Sequence, residues 1–246
     1  MDFQATYRIR MVVSTYCRIF DSLISWCAVL SRMTDWLLQH SLEPEEIVTR
    51  YASLDIETTG IDPSNSQTVA IGIGLKDTVS GEQTVDVLNL SGAMGDEETL
   101  INRAFERINQ FEPSALVTYN GKGFDLSYLA QRMDILQPNQ RTELDCENNH
   151  IDLFIPRKQL ADQHGAKWPS LEEVLKGHGL AAQPTMWRGK ELTNRRFGEE
   201  LAPEYVDALN EGQMTTVDDL ETVIHEYVVG DVEANFVLYE TDADRR

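Results

Sequence analysis

The sequence contains very little lysine and little positive charge of any kind. Six lysines are among 21 basic residues, which stand against 41 acidic ones in a chain of 246 residues with a formal net charge of −20. A protein that binds phosphate backbones usually carries a basic surface, so this charge alone argues against a nucleic-acid partner. The alternative is an acidic surface suited to a salt-rich cytoplasm, where charge is heavily screened. We favour this alternative because scarce lysine is typical of halophilic proteins.

Cysteine is equally scarce. Cys17, Cys27 and Cys146 have no paired short spacing, which excludes a disulfide framework and a cysteine zinc site. The sequence also lacks a glycine-rich nucleotide loop, a haem or flavin motif and an internal repeat. These absences favour a reducing, cytoplasmic location.

The first 32 residues differ in composition from the rest, with four arginines against two acids. Their apolar stretch from Ile19 to Leu30 is interrupted by Asp21. It is too short for a membrane span and lacks a signal-peptide cleavage site. A natural start at Met33 would make residues 1–32 a start-site artefact or a disordered tail, and we favour that interpretation over a packing or interfacial helix.

Residues 33–246 are predicted to form one α/β domain. Alternating and apolar runs predict strands over residues 51–57, 68–75, 84–90, 114–120 and 151–155. Helical spacing predicts helices over residues 96–111, 125–136, 157–163, 170–177, 198–210 and 217–239. This order indicates a mixed sheet, in which an antiparallel meander of three strands is followed by parallel strands, with helices on both faces.

Three short motifs carry carboxylates. They are Leu54–Gly60 (LDIETTG), Tyr119–Asp125 (YNGKGFD) and Tyr227–Asp231 (YVVGD). Asp55 and Glu57 are two apart on a strand and therefore share a face, where they could bind one divalent cation. Asp125 opens a helix after a strand, at the rim where α/β sheets place their sites.

Tyr227 and Asp231 are four residues apart and lie on one side of the last helix. Carboxylates that converge repel one another unless cations compensate their charge. Two divalent ions are a known arrangement for cleaving a phosphodiester, because one activates the water and the other stabilises the leaving oxygen.

Together, the motifs resemble those of the DEDD superfamily of 3′-5′ exonucleases. The resemblance is to the DEDDy branch, found in the proofreading domains of family-B DNA polymerases and in related stand-alone domains. The Asp-Ile-Glu-Thr, Asn-x-x-x-Phe-Asp and Tyr-x-x-x-Asp motifs are matched by Asp55 and Glu57, by Asn120, Phe124 and Asp125, and by Tyr227 and Asp231. The sister branch has a histidine five residues before the last aspartate, where this chain has Glu226, so the branch assignment depends on Tyr227.

The resemblance implies a ribonuclease H-like fold and two Mg²⁺ or Mn²⁺ ions. It implies that Asp55, Glu57 and Asp231 bind the first metal and that Asp55 also binds the second. Asp125 would act partly through bound water, and the Tyr227 hydroxyl would orient the attacking water. The residues expected to line the cleft and contact nucleic acid are Thr58, Asn120 and Phe124. With the composition, the resemblance suggests a haloarchaeal source.

Each motif taken alone has a simpler interpretation. An Asp-x-Glu pair on a strand is usually a solvated face, Asp125 could be a helix N-cap, and Tyr227 could be a core tyrosine. Asp231 on an apolar helical face is harder to explain, since buried carboxylates are rarely unpaired. Asp152 could support the site or only anchor its strand.

The segment from Trp187 to Arg196 is unusually basic for this chain. We expect Arg188, Arg195 and Arg196 to contact the substrate backbone, with Lys122 and Arg132 as lesser candidates. The alternative is a surface loop whose cations pair with neighbouring acids.

The sequence therefore predicts a metal-dependent 3′-5′ exonuclease. Its expected partners are single-stranded DNA or RNA 3′ ends, with DNA favoured and no membrane. Two alternatives stay open: a non-catalytic nucleic-acid-binding module, and a structure-specific endonuclease or ribonuclease on the same fold. Protein partners cannot be identified from the sequence.

Overall fold

A computed structural model describes residues 48–91, 96–137, 142–180 and 183–244. The predictions about residues 1–32 and Met33 therefore lie outside the described residues. Among the described residues, no helix is both long and apolar enough to cross a membrane.

Three long strands open the described chain, as the alternating pattern predicts. They are β1 (Arg50–Thr58), β2 (Thr68–Asp77) and β3 (Glu82–Asn89). Each pairs antiparallel with the next. The predicted meander is confirmed.

The remaining elements are mostly helical. They are, in order, α1 (Glu97–Phe111), β4 (Ala115–Thr118), α2 (Asp125–Leu136), β5 (His150–Asp152), α3 (Phe154–His164), α4 (Leu171–Gly177), β6 (Met186–Trp187), β7 (Lys190–Glu191), α5 (Asn194–Arg196), a π-helical turn (Phe197–Leu201), α6 (Ala202–Glu211) and α7 (Met214–Ala243). The capping box expected at α4 is present, because Ser170 and Glu173 bond each other's backbone N–H groups.

The main sheet has the strand order β3-β2-β1-β4-β5, and β4 and β5 run parallel to β1. Ala52, Leu54 and Ile56 on one face of β1 pack in a core with α1 and α2. The other face is covered by a second core that includes α4, α6 and α7. The predicted mixed sheet with helices on both faces is confirmed.

The predicted strand over 151–155 is shorter than expected. β5 ends at Asp152, and α3 begins at Phe154. The Asp152 carboxylate accepts a hydrogen bond from the Phe154 backbone N–H at 3.0 Å, which satisfies one of the free donors of the first turn. Pro156 lies in that first turn, where its missing N–H costs nothing.

Two glycines bring α7 close to the sheet. A Cβ atom on Gly72 would lie 2.5 Å from Val228 Cγ1, and one on Gly74 would lie 2.4 Å from Phe236 Cζ. Only glycine allows the helix to lie this near β2. At its C-terminal end α7 is joined to α3 by a buried ion pair, in which Arg157 Nη2 lies 2.8 Å from Asp242 Oδ2.

Candidate active site

The site forms where α7 packs over β1 on one face of the sheet. The helix runs in the opposite direction to the strand. Tyr51 packs edge-to-face on Tyr239 with ring centroids 4.9 Å apart. Two strand residues further on, the Asn235 amide donates to Ser53 Oγ at 3.2 Å. Two strand residues span about 6.6 Å and four helix residues about 6 Å, so the two registers stay matched. The next pair in this register is Asp55 and Asp231.

The acidic cluster consists of Asp55, Glu57 and Asp231. Each offers a carboxylate oxygen, and these oxygens all lie within 4.8 Å of one another. Glu57 is buried, whereas Asp55 and Asp231 are partly exposed to the cleft. The structure therefore brings together three of the four acids that the motifs single out, from positions far apart in the chain.

Asp125, the fourth acid, is buried beside this cluster and lines the same cleft. It is the first residue of α2, whose N-cap position is Phe124, so Asp125 is not the N-cap. Its Oδ1 accepts a hydrogen bond from the Ile56 backbone N–H at 3.1 Å. That bond ties the start of α2 to β1 between the two acids of the first motif.

The turn before Asp125 is held by Asp152. Its carboxylate accepts backbone N–H bonds from Asn120 and from Lys122, both at 2.9 Å. Asn120 adopts a left-handed conformation with φ of 70°, which asparagine tolerates better than most residues. A Cβ on Gly121 would lie 2.3 Å from Thr118 Oγ1. Asp152 thus supports the site and anchors its strand, which are the two roles considered for it.

Burial and mutual repulsion disfavour the ionised carboxylates. The pKa of Asp55 and that of Glu57 are raised well above their usual values, by burial first and then by the charge of Asp231. Burial also raises the pKa of Asp125 to about 7, although backbone hydrogen bonds oppose it. The pKa of Asp231 rises to about 7 through burial and the charges of Glu172 and Asp125. Perturbed carboxylates of this kind mark a candidate functional site.

Tyr227 is buried one helical turn before Asp231. Its hydroxyl donates to Asn194 Oδ1 at 2.6 Å, and its ring packs on Phe197 with centroids 5.5 Å apart. Burial and the charge of Glu57 raise the pKa of Tyr227 above its usual value. The hydroxyl therefore stays protonated and can act as a hydrogen-bond donor.

The acids face an open cleft of about 500 Å³. Thr58, Asn120 and Phe124, which the resemblance implies at the cleft, all line it, as do Asn194 and Trp168. Lys122 is not among the lining residues, although its backbone N–H belongs to the turn beside them.

Asn194, Glu172 and Trp168 were missed by the sequence reasoning. Asn194 could have been suspected only from its place in the basic segment. Glu172 follows the capping serine of α4 and resembles any solvated helix-terminal acid in sequence, yet its charge acts on Asp231.

The four arginines among the predicted basic contacts are ion-paired within the chain. Arg188 Nη2 lies 2.7 Å from Glu204, and Arg195 and Arg196 pair with Glu199 and Glu200 at 3.0 Å. Arg132 Nε donates to Glu97 at 2.8 Å. The pairs of Arg188 and Arg195 are largely exposed, so solvent competes with them and they are weak.

The residues present suit a hard divalent cation. Three carboxylates converge with their oxygens close together, and burial and neighbouring carboxylates raise the pKa of each. Oxygen ligands with room left for water and phosphate are what Mg²⁺ and Mn²⁺ require. Asp55, Glu57 and Asp231 would hold such an ion.

Comparison with known protein families identifies a family to which the chain belongs. The RNase_H_2 family model, described as RNase_H superfamily, matches residues 52–181, which include Asp55, Glu57 and Asp125 but not Tyr227 or Asp231. No curated protein matches the sequence.

One solved structure with a similar fold is that of a family B DNA polymerase from the hyperthermophilic archaeon Pyrobaculum calidifontis. It is 18% identical with a TM-score of 0.54, and the likeness covers 81% of this chain and 25% of the polymerase. The chain thus spans about a quarter of the polymerase's length. At this identity the likeness shows the fold alone.

Proposed function

The chain belongs to the RNase H superfamily, and from this premise we propose that it is a metal-dependent 3′-5′ exonuclease acting on single-stranded nucleic acid. The observation that carries the proposal is the convergence of Asp55, Glu57 and Asp231, with carboxylate oxygens within 4.8 Å, in an open cleft. The resemblance of the three motifs to those of polymerase proofreading domains favours DNA over RNA as the substrate.

Two Mg²⁺ or Mn²⁺ ions, when bound, would supply an activated water and stabilise the leaving oxygen of the phosphodiester. Asp55, Glu57 and Asp231 would bind the first ion, and Asp55 would share the second. Asp125 would support them through water while its bond to the Ile56 N–H keeps its carboxylate beside β1. Without cations these acids repel one another, so each favours a bound ion.

Tyr227 supplies a protonated hydroxyl beside the cluster. We propose that this hydroxyl orients the attacking water. That hydroxyl donates to Asn194. A hydroxyl has two acceptor lone pairs beside its single proton, so it can accept from a water while it still donates to Asn194. Asn194 would thus fix the direction in which the hydroxyl accepts.

Thr58, Asn120 and Phe124 would contact the terminal nucleotide, because all three line the cleft. Arg188, Arg195, Arg196 and Lys122 remain candidates for phosphate contacts. For the arginines, phosphate would have to replace the carboxylates of Glu204, Glu199 and Glu200. The exposure of the first two pairs makes that exchange inexpensive.

Nuclease assays with Asp55→Ala test the site. Purified protein is incubated at high KCl with Mn²⁺ and an oligonucleotide labelled at its 5′ end, and product lengths are followed over time. We expect Asp55→Ala to lose at least about 100-fold in rate, because a shared cation is lost. Asp134→Ala, at an exposed position of α2, is the matched control and should retain activity. Activity that persists in Asp55→Ala or in chelator would refute the site.

Two substrates separate the alternatives. A 3′-5′ exonuclease shortens the 5′-labelled strand one nucleotide at a time and leaves a circular single strand intact. Cleavage of the circle would establish an endonuclease instead. Binding of both strands without any cleavage would identify a non-catalytic binding module.

A further inference from the structure

An exposed tryptophan lines the cleft at a distance along the chain from every motif. Trp168 lies in the loop between α3 and α4, and its side chain is 48% exposed. Single exposed apolar residues are common on protein surfaces and need no explanation by themselves. Trp168 differs because its ring is held in a fixed orientation beside the acidic cleft.

Three residues on one stripe of α3 hold the indole. Phe154, Lys158 and Asp162 are spaced four apart and therefore share a helix face. The Trp168 Nε1–H donates to Asp162 Oδ1 at 2.7 Å, and Lys158 Nζ lies 4.0 Å from the ring centroid. Phe154 meets the ring at 81° with centroids 6.2 Å apart. A ring fixed in this way loses little side-chain entropy when a ligand stacks on it.

The aromatic surface continues into the cleft. Phe154 packs on Tyr119 with ring centroids 5.4 Å apart, and Tyr119 precedes the Asn120 turn. The Tyr119 hydroxyl donates to the Pro169 carbonyl at 2.7 Å, which secures the loop that carries Trp168. Tyr119, Phe154 and Trp168 all line the same cleft as Asp55 and Asp231.

Two lysines lie beside Trp168, in a chain that has few of them. Lys158 and Lys167, two of the six lysines, flank Trp168. Lys167 also lines the cleft, and its Nζ lies 3.1 Å from Glu173 in an exposed pair. Exposed pairs of this kind are weak and can exchange for phosphate.

We propose that Trp168, held by Phe154, Lys158 and Asp162, is a stacking platform for an unpaired nucleobase of the strand that enters the cleft. Stacking recognises single strands because the faces of a base inside a duplex are covered by its stacked neighbours, and it is tolerant of sequence because every base has a π face. The inference rests on the proposed nuclease function and adds a specificity subsite for single strands to it.

Equilibrium binding in chelator tests the platform without cleavage. Fluorescence anisotropy compares an oligothymidylate with a strand of equal length made of abasic sites, which has the same phosphates and no bases. Trp168→Ala should weaken binding of oligothymidylate about 10-fold and leave binding of the abasic strand unchanged. Trp168→Phe should stay within about 3-fold of the wild type for both strands, because a ring is retained. Met214→Ala removes another exposed apolar side chain, one outside the cleft lining, and should bind like the wild type.

The outcomes separate the platform from the nuclease proposal. Wild-type affinity in Trp168→Ala, or an equal loss for both strands, would overturn the stacking role and leave Asp55-dependent cleavage standing. A wild-type protein that binds neither strand and cleaves none would overturn the nuclease proposal and the platform together. Preserved thermal unfolding of Trp168→Ala excludes misfolding as the cause of a loss.

Discussion

Asp231 shows at the residue scale how the cleft is arranged for a cation. Its carboxylate lies near Asp55 and Glu57, and burial together with Glu172 and Asp125 raises its pKa to about 7. A partly buried acid without a cationic partner costs stability in its charged form. A resident cation would remove that cost, so the arrangement destabilises the free protein and favours the metal-bound one.

The stability of the metal-free protein should therefore fall as the pH rises from about 4 to about 7. In that window folded Asp231 still holds its proton, whereas in the unfolded chain it has lost it at about pH 4, so the folded state binds more protons. Asp231→Asn removes this penalty. In chelator at pH 8 we expect its free energy of unfolding to exceed that of the wild type by about 2 kcal/mol. The excess should shrink toward zero near pH 4.

Denaturant unfolding at several pH values measures this difference, with Asp134→Asn as an exposed control that should show none. Added Mn²⁺ should reverse the order, because it stabilises only the protein that binds it. A variant no more stable than the wild type at pH 8 would contradict the assigned electrostatics.

Some side chains of the site could be identified from sequence and others could not. The alternation in β1 predicts that Asp55 and Glu57 share a face opposite Leu54, and the spacing of four predicts that Tyr227 and Asp231 share a helix side. Asn194, by contrast, meets Tyr227 through a tertiary contact between separate elements. No local periodicity encodes such a contact.

At the scale of elements, the approach of α7 to β2 determines where Asp231 lies. Gly72 faces Val228, which lies within the Tyr227–Asp231 motif, and Val232, which follows it on the helix. The sequence predicts both the strand and the helix, but not that they touch. Local sequence patterns likewise do not predict the full strand order β3-β2-β1-β4-β5, because long-range packing determines which strands are neighbours. The sequence contains the two glycines of β2, but only the structure shows that side chains of α7 fill the space above them.

Gly72→Ala should displace α7. Its Cβ would meet Val228 Cγ1 at 2.5 Å and Val232 Cγ2 at 2.7 Å, and both belong to branched side chains with little freedom. We expect a loss of about 1–3 kcal/mol in stability from overpacking. Nuclease activity should fall about 10-fold or more, because a shift of about 1 Å at a catalytic group is enough.

Gly230→Ala is the matched control. It lies in α7 beside Asp231, and a Cβ there meets nothing within 4 Å. Alanine in a helix interior is more favourable than glycine, so this variant should gain up to about 1 kcal/mol. Thermal melting and the nuclease assay on both variants test the pair. Equal effects of the two substitutions would refute the packing argument.

For the whole molecule, the net charge of −20 is the property that the proposed substrate must overcome. Much of the arginine charge is neutralised within the chain. The ion pairs of the described residues include Arg50–Asp77, Arg107–Asp86, Arg132–Glu97 and Arg157–Asp242. We therefore expect a nucleic acid to approach a negative surface and to meet positive charge at short range, from the proposed cations and from the basic side chains near the cleft.

We expect this charge to reverse the usual salt dependence of nucleic-acid binding. Basic proteins lose affinity for nucleic acid as salt rises, because counterion release drives their binding. Here added salt first screens a long-range repulsion, since the Debye length falls from about 10 Å at 0.1 M to about 3 Å at 1 M.

We expect kcat/KM on a single-stranded oligonucleotide to rise at least about 3-fold between roughly 0.1 M and 1 M KCl. A thymidine p-nitrophenyl phosphodiester, which carries a single charge, should show little change over the same range because repulsion scales with substrate charge. Circular dichroism at each concentration establishes that the protein is folded, so that refolding by salt is not mistaken for faster association. A steady fall of kcat/KM with salt would show that a basic surface, rather than screened repulsion and short-range cations, governs the encounter, and the halophilic interpretation of the composition would fall with it.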